Sequence, residues 1–230
     1  MRLSEWRRWP VPLPVRVVLV AEVAVYLAAL AAYVWFAMPA GRAVYWYHVV
    51  LLGAAVAFPV AANLLHGDRP RDSGLRLGNL AASAKLVVPA TLVMAAGVTV
   101  TGLVVGGFHW ISWRRLAELA GGYLSWGLAQ QYLLQSFALR RLMQAGLPAV
   151  PAAVLAAGAF AMVHAPNWIL VGLTGGAGLV WCAIFLRRPN ILTLALAHGA
   201  LAVLLFHAWP TRWLQNLTIG PFYIMRCKGL

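Results

Sequence analysis

Apolar runs long enough to cross a bilayer recur through most of this 230-residue chain, with only short polar breaks between them. A hydrocarbon core of ~30 Å takes about 20 apolar residues as a helix. Lipid also admits only backbones whose hydrogen bonds are closed internally. Only 10% of the residues are charged and 63% are hydrophobic, whereas soluble domains carry about 25% charge. A water-soluble globule is therefore excluded. The chain reads as an all-α, polytopic transmembrane helical bundle forming a single membrane domain over 1–230, with about seven spans. The runs cover about 15–38, 44–65, 83–107, 119–139, 150–164, 169–186 and 191–208. The fifth is short for a full crossing, so it is expected to tilt or to be re-entrant.

The formal net charge of +13 comes from arginines scattered in pairs between the runs. A nucleic-acid partner would need a basic face with base-reaching polar residues, and none is present. The distribution instead follows the positive-inside rule. It places the N-terminus and most Arg and Lys residues, among them Arg140, Arg141, Arg187 and Arg188, on the cytoplasmic side. Membrane lipids are the implied surroundings. The Ala- and Arg-rich composition suggests a bacterial inner (plasma) membrane. The first run exceeds the about 7–15 apolar residues of a cleaved signal, so it is read as a retained span. Aromatic residues mark expected interfaces: the basic, Trp-rich segment Arg2–Arg16, then Tyr45, Trp46 and Tyr47, residues 108–118, and the tail with Trp209, Trp213 and Tyr223. Cys182 is expected as a small core residue. Cys227 begins a four-residue end, Cys-Lys-Gly-Leu, whose Lys and Gly do not suit a prenylation box.

Strongly polar side chains inside a span are costly and point to function. Gln130, Gln131 and Gln135 lie together on the fourth run, His164 at the end of the fifth and His198 inside the seventh. Gln131 and Gln135 are four apart and share a helix face, whereas Gln130 points about 100° away and is expected to face a cavity. Three glutamines exceed what helix adhesion at about 0.6 kcal/mol per bond requires. Glu22 is read as an interfacial residue. Glu118 is read as a carboxylate favoured by the start of its helix. No acidic residue follows Glu118. The Gly102/Gly106 and Gly172/Gly176 spacings read as small-residue helix packing.

These residues resemble the motifs of the CPBP family, the CAAX-protease and bacteriocin-processing (Abi) membrane proteins. That family carries Glu-Glu-x-x-x-Arg, Phe-x-x-x-His and His-x-x-x-Asn on successive helices. Gln130, Gln131 and Gln135 stand at the first motif, followed by Phe137-Ala138-Leu139-Arg140-Arg141. Phe160 and His164 meet the second, with Pro166 and Asn167 behind them. His198 begins the third, with Ala202 where asparagine is expected. The resemblance covers roughly 75–205. It implies intramembrane cleavage of lipidated or membrane-associated peptides, with catalytic positions at Gln130, His164 and His198. Substrate-binding positions fall at Gln131, Gln135, Phe160 and Asn167, and no cofactor or metal is implied.

A carboxamide cannot take a proton at neutral pH, so Gln130 cannot act as the family's base. Replacing both members of a buried ion pair by glutamine leaves hydrogen-bonding partners rather than a stranded charge. The sequence-based expectation is a CAAX-protease-like membrane protein whose site has diverged or lost activity. The alternatives are a non-enzymatic membrane protein that binds a hydrophobic peptide segment or partner, and a transporter. A zinc hydrolase is disfavoured, because amide oxygens are poor zinc ligands and no third histidine or carboxylate accompanies the two histidines. The favoured reading requires Gln130, His164 and His198 to converge on one cavity.

Overall fold

The computed structural model describes residues 12–37 and 45–229. Residues 2–11 of the expected basic segment Arg2–Arg16 lie outside the described residues, as do the side chains of Tyr45, Trp46 and Tyr47. The chain runs as α1 (Leu13–Ala32), which turns π-helical over Tyr33–Ala37, α2 (Tyr45–Leu65), α3 (Leu80–Val104) and α4 (Trp113–Gln131). A π-helical stretch, Tyr132–Leu139, joins α4 to α5 (Arg140–Gln144). Then come α6 (Ala149–Met162), α7 (Trp168–Arg187), α8 (Ile191–Ala208), α9 (Thr211–Leu214) and α10 (Gly220–Cys227). The described residues contain no strand. This is a helical membrane bundle.

Among the described residues, four segments are long and apolar enough to span a bilayer: Leu13–Ala37, Leu80–Val104, Trp168–Arg187 and Ile191–Ala208. Val50–Leu65 and Ala149–Met162 are apolar but shorter. The 14 residues of α6 measure about 21 Å at ~1.5 Å per residue, less than a hydrocarbon core. Pro148 leads into α6, and the turn through Pro166 ends it before Asn167 caps α7.

Glycine sets the helix spacing. A Cβ on Gly199 of α8 would lie 3.0 Å from Leu124 Cα, and one on Gly127 of α4 would lie 3.1 Å from Ala195 O. The α4 and α8 backbones therefore touch, as small residues permit in membranes. Gly102 brings α3 equally close to Ala208 of α8. The expected pairing role fails for Gly106, Gly172 and Gly176, whose added Cβ atoms would meet nothing within 4 Å.

Two further expectations change. The fourth helix begins at Trp113, not near 119, because Ser112 Oγ accepts from Arg115 N at 3.3 Å and caps it there. Glu118 therefore sits beyond the first turn and pairs with Arg114 at 3.1 Å and Arg115 at 3.4 Å. Glu22 is not merely interfacial. Its Oε1 meets His66 Nε2 at 2.7 Å and its Oε2 meets Arg141 Nε at 3.1 Å. Arg141 is fully buried and also reaches Asp68 at 3.5 Å, while Arg140 meets Asp68 at 2.7 Å. Two carboxylates thus face two guanidiniums, tying α1 and the loop after α2 to α5.

The same loop is held from the opposite side. Asn190, fully buried, donates to Arg76 O at 2.7 Å and to Asn79 Oδ1 at 2.8 Å, and accepts from Thr193 N to cap α8. Gly74 has φ +83°, and a Cβ there would run into the Phe185 ring at 2.6 Å. The loop therefore lies flat on the turn between α7 and α8.

Replacing Arg141 with Met leaves Glu22 Oε2 uncompensated beside a buried site. It should cost about 3–5 kcal/mol, read as a lowered thermal midpoint in detergent. Glu22→Gln, at a partly exposed carboxylate, should cost less.

Candidate functional site

The end of α4 is where polarity enters the bundle. Gln131 and Gln135 are fully buried, and in so apolar a setting each needs a partner. Gln135 Nε2 donates to Gln131 Oε1 at 3.3 Å, and Gln131 Nε2 donates to His198 Nδ1 at 3.2 Å. The α4–α8 contact at Gly127 and Gly199 makes this reach short. An amide N–H can only donate, so His198 Nδ1 accepts and its proton sits on Nε2.

His164 is fixed in the opposite sense. Its Nδ1 donates to Phe160 O at 2.9 Å. A carbonyl only accepts, so the proton is on Nδ1 and Nε2 carries the lone pair. The Phe160 ring meets both imidazoles edge-on, at 5.1 Å from His164 and 5.9 Å from His198. Trp181 stacks on His198 at 4.8 Å. The aromatic contacts hold both rings at defined angles.

Gln130, Phe160, His164, His198 and Ala202 all line one cavity of about 950 Å³. It lies among α1, α2, α3, α4, α6, α7 and α8, and its wall is overwhelmingly apolar. Gly172 and Gly176 line it too. Their missing side chains widen the cavity rather than tightening a helix pair. Ala202 presents a methyl group where the family motif would present an amide. Among the described residues, no Lys, Arg, Asp or Glu lines the wall.

Gln131 and Gln135 stand behind this wall and reach it through His198. Asn167 is elsewhere: it accepts from Leu170 N at 3.2 Å to cap α7, and donates to Leu214 O at 3.0 Å and Thr218 O at 3.3 Å. These bonds tie the start of α7 to α9 and the chain beyond it. Among the described residues, no group of three or more His, Cys, Asp or Glu side chains is arranged to hold a metal ion.

Sequence reasoning did not find the polar backing on the other face of the π-helical stretch. Asn63, buried in α2, donates to Tyr132 Oη at 2.9 Å and to Ser136 O at 3.1 Å. Ser136 Oγ in turn donates to Ser73 O at 2.5 Å. A lone Asn near the end of an apolar run was the available signal.

Residues 113–204 match the model of a protein family described as type II CAAX prenyl endopeptidase Rce1-like. Over this stretch the chain is similar to the CAAX-protease family. The matched segment contains the whole histidine and glutamine arrangement, whereas α1, α2 and α3 lie before it. No curated protein and no solved structure matches the chain.

Gly199→Ala would set a Cβ 2.8 Å from Leu124 Cδ2 and force α4 away from α8. It should cost about 1–3 kcal/mol in a thermal melt. Gly158→Ala, whose Cβ would meet nothing within 4 Å, should leave the midpoint unchanged or raise it.

Proposed function

We propose that this CAAX-protease-like membrane protein receives the apolar chain of a lipidated or hydrophobic peptide in the α4–α6–α8 cavity without hydrolysing it by the family's glutamate mechanism. The observation that carries the reading is the convergence of Gln130, His164 and His198 on one uncharged, apolar cavity. The proposed setting is a bacterial inner membrane with the N-terminus in the cytoplasm, which the arginine distribution favours.

Peptide hydrolysis needs a group that takes a proton from water and donors that hold the oxyanion. Gln130 opens on the cavity, where its amide can orient a water or a carbonyl but cannot accept a proton. Among the described residues, the His164 Nε2 lone pair is the remaining basic atom on the wall, and no carboxylate backs it. His198 Nε2–H is the remaining donor opposite. Ala202 supplies none, a loss that typically costs ~10²–10³ in rate. An absent general base takes a further ~10²–10⁴. The arrangement retains what is needed to hold and orient a ligand, and lacks what is needed to turn it over quickly.

The test uses purified protein and a panel of lipidated and hydrophobic peptides. Wild type should bind peptides and leave them intact. Gln130→Glu should raise cleavage by about 10²-fold or more, because it returns a carboxylate to a cavity that is otherwise assembled. Robust cleavage by wild type that is lost in His164→Ala would overturn the reading in favour of a histidine-based hydrolase.

A further inference from the structure

The two histidines facing the cavity have opposite hydrogen-bonding character, and that difference selects a ligand. His164 and His198 are 7% and 9% exposed, and each uses its Nδ1 within the protein. Neither Nε2 has a partner among the described residues. Neither is among the sealed, unsatisfied polar atoms of the interior. Both Nε2 atoms therefore open on the cavity, one as a bare acceptor and the other as a bare donor. A buried acceptor and donor left without partners each carry a desolvation cost, so the cavity is built to be occupied by something that answers both.

We propose that the cavity takes a single-chain lipid alcohol, its hydroxyl donating to His164 Nε2 and accepting from His198 Nε2–H. This rests on the reading of the cavity as a receptacle for an apolar chain, and it adds what the polar end must be. A hydroxyl is both donor and acceptor, so one oxygen satisfies both histidines. A carboxylate only accepts, and would set its charge against the His164 lone pair with no cation among the described residues of the wall. An ammonium only donates, and would find no carboxylate among those residues. Either ion would be buried unpaired, which is heavily penalised. The free C-terminal carboxylate of a processed peptide meets the same objection. The volume of about 950 Å³ lies at the upper end of the roughly 300–1,000 Å³ of small-molecule sites, and its length along α1 and α7 suits an extended chain. Trp181, stacked on His198, places a fluorophore beside the proposed head group.

The experiment compares oleyl alcohol, oleate and oleylamine, which share one chain, by quenching of tryptophan fluorescence in detergent at about pH 8, where oleate is ionised. Oleyl alcohol should bind at least about tenfold more tightly than either ion, equivalent to about 1.4 kcal/mol. His164→Phe and His198→Phe should each weaken binding of oleyl alcohol and so erase that preference. A thermal midpoint equal to wild type certifies the fold, and two variants guard against one failing it. Equal affinity for the three head groups, or a preference that survives both substitutions, would overturn the inference. Tighter binding of a lipidated peptide with a free carboxylate would overturn it too, while leaving the proposed function standing. Binding of neither alcohol nor lipidated peptide would remove both.

Discussion

The contact between α4 and α8 at Gly127 and Gly199 governs the interior of this bundle. In lipid there is little hydrophobic gain in pressing two apolar helices together, so close approach depends on small residues and on the polar bonds that proximity allows. Here the backbones meet, and Gln131 comes within 3.2 Å of His198 as a result. The proton position on His198, the stacking of Trp181 and the character of the cavity wall all follow from that distance. A wider spacing would break that bond and leave Gln131 Nε2 and His198 Nδ1 buried without each other.

The interior holds its polarity in two chemically different ways. Midway along α1 it uses ions: Glu22 and Asp68 balance Arg140 and Arg141 in a formally neutral cluster. Next to the cavity it uses neutral amides, Gln135 to Gln131 to His198, with no formal charge. The two sets are only a few residues apart along the π-helical stretch and α5. Ions secure the first helix and the loop to the bundle, where their desolvation is offset by good pairing. Amides near the cavity orient a histidine without imposing an electric field on whatever enters.

Much of this architecture was legible in the sequence, for identifiable reasons. Length and hydropathy mark the helices, because bilayer thickness leaves few other solutions. The short α6 followed from Pro148 and Pro166. The convergence of Gln130, His164 and His198 was required by the family resemblance rather than by anything in their spacing, and their roles are inferences from chemistry. Pairings between distant segments were not legible. Arg140 and Arg141 read as an orientation signal because their carboxylate partners lie in α1 and in the loop after α2, far away in sequence. Asn167 read as a ligand contact because capping and binding use the same side chain. Nothing in Tyr132–Leu139 announces a π-helical turn, since that conformation depends on what Asn63 and Ser73 offer from outside the segment.

That π-helical stretch also has a consequence for how the chain tolerates length change. A π turn accommodates a residue more than an α turn does, and each residue of α-helix rotates the chain by about 100°. Deleting a single residue between Tyr132 and Leu139 would let the segment wind as plain α-helix with both flanks near their present phase, because the wider turn already absorbs the extra residue. The glutamines upstream and the arginines downstream would still meet their own neighbours. Winding the same 8 residues as α turns, or inserting one more, would instead rotate one end by about 100° against the other. The wide turn takes up a residue without turning the two ends of one helix away from the different neighbours they answer to.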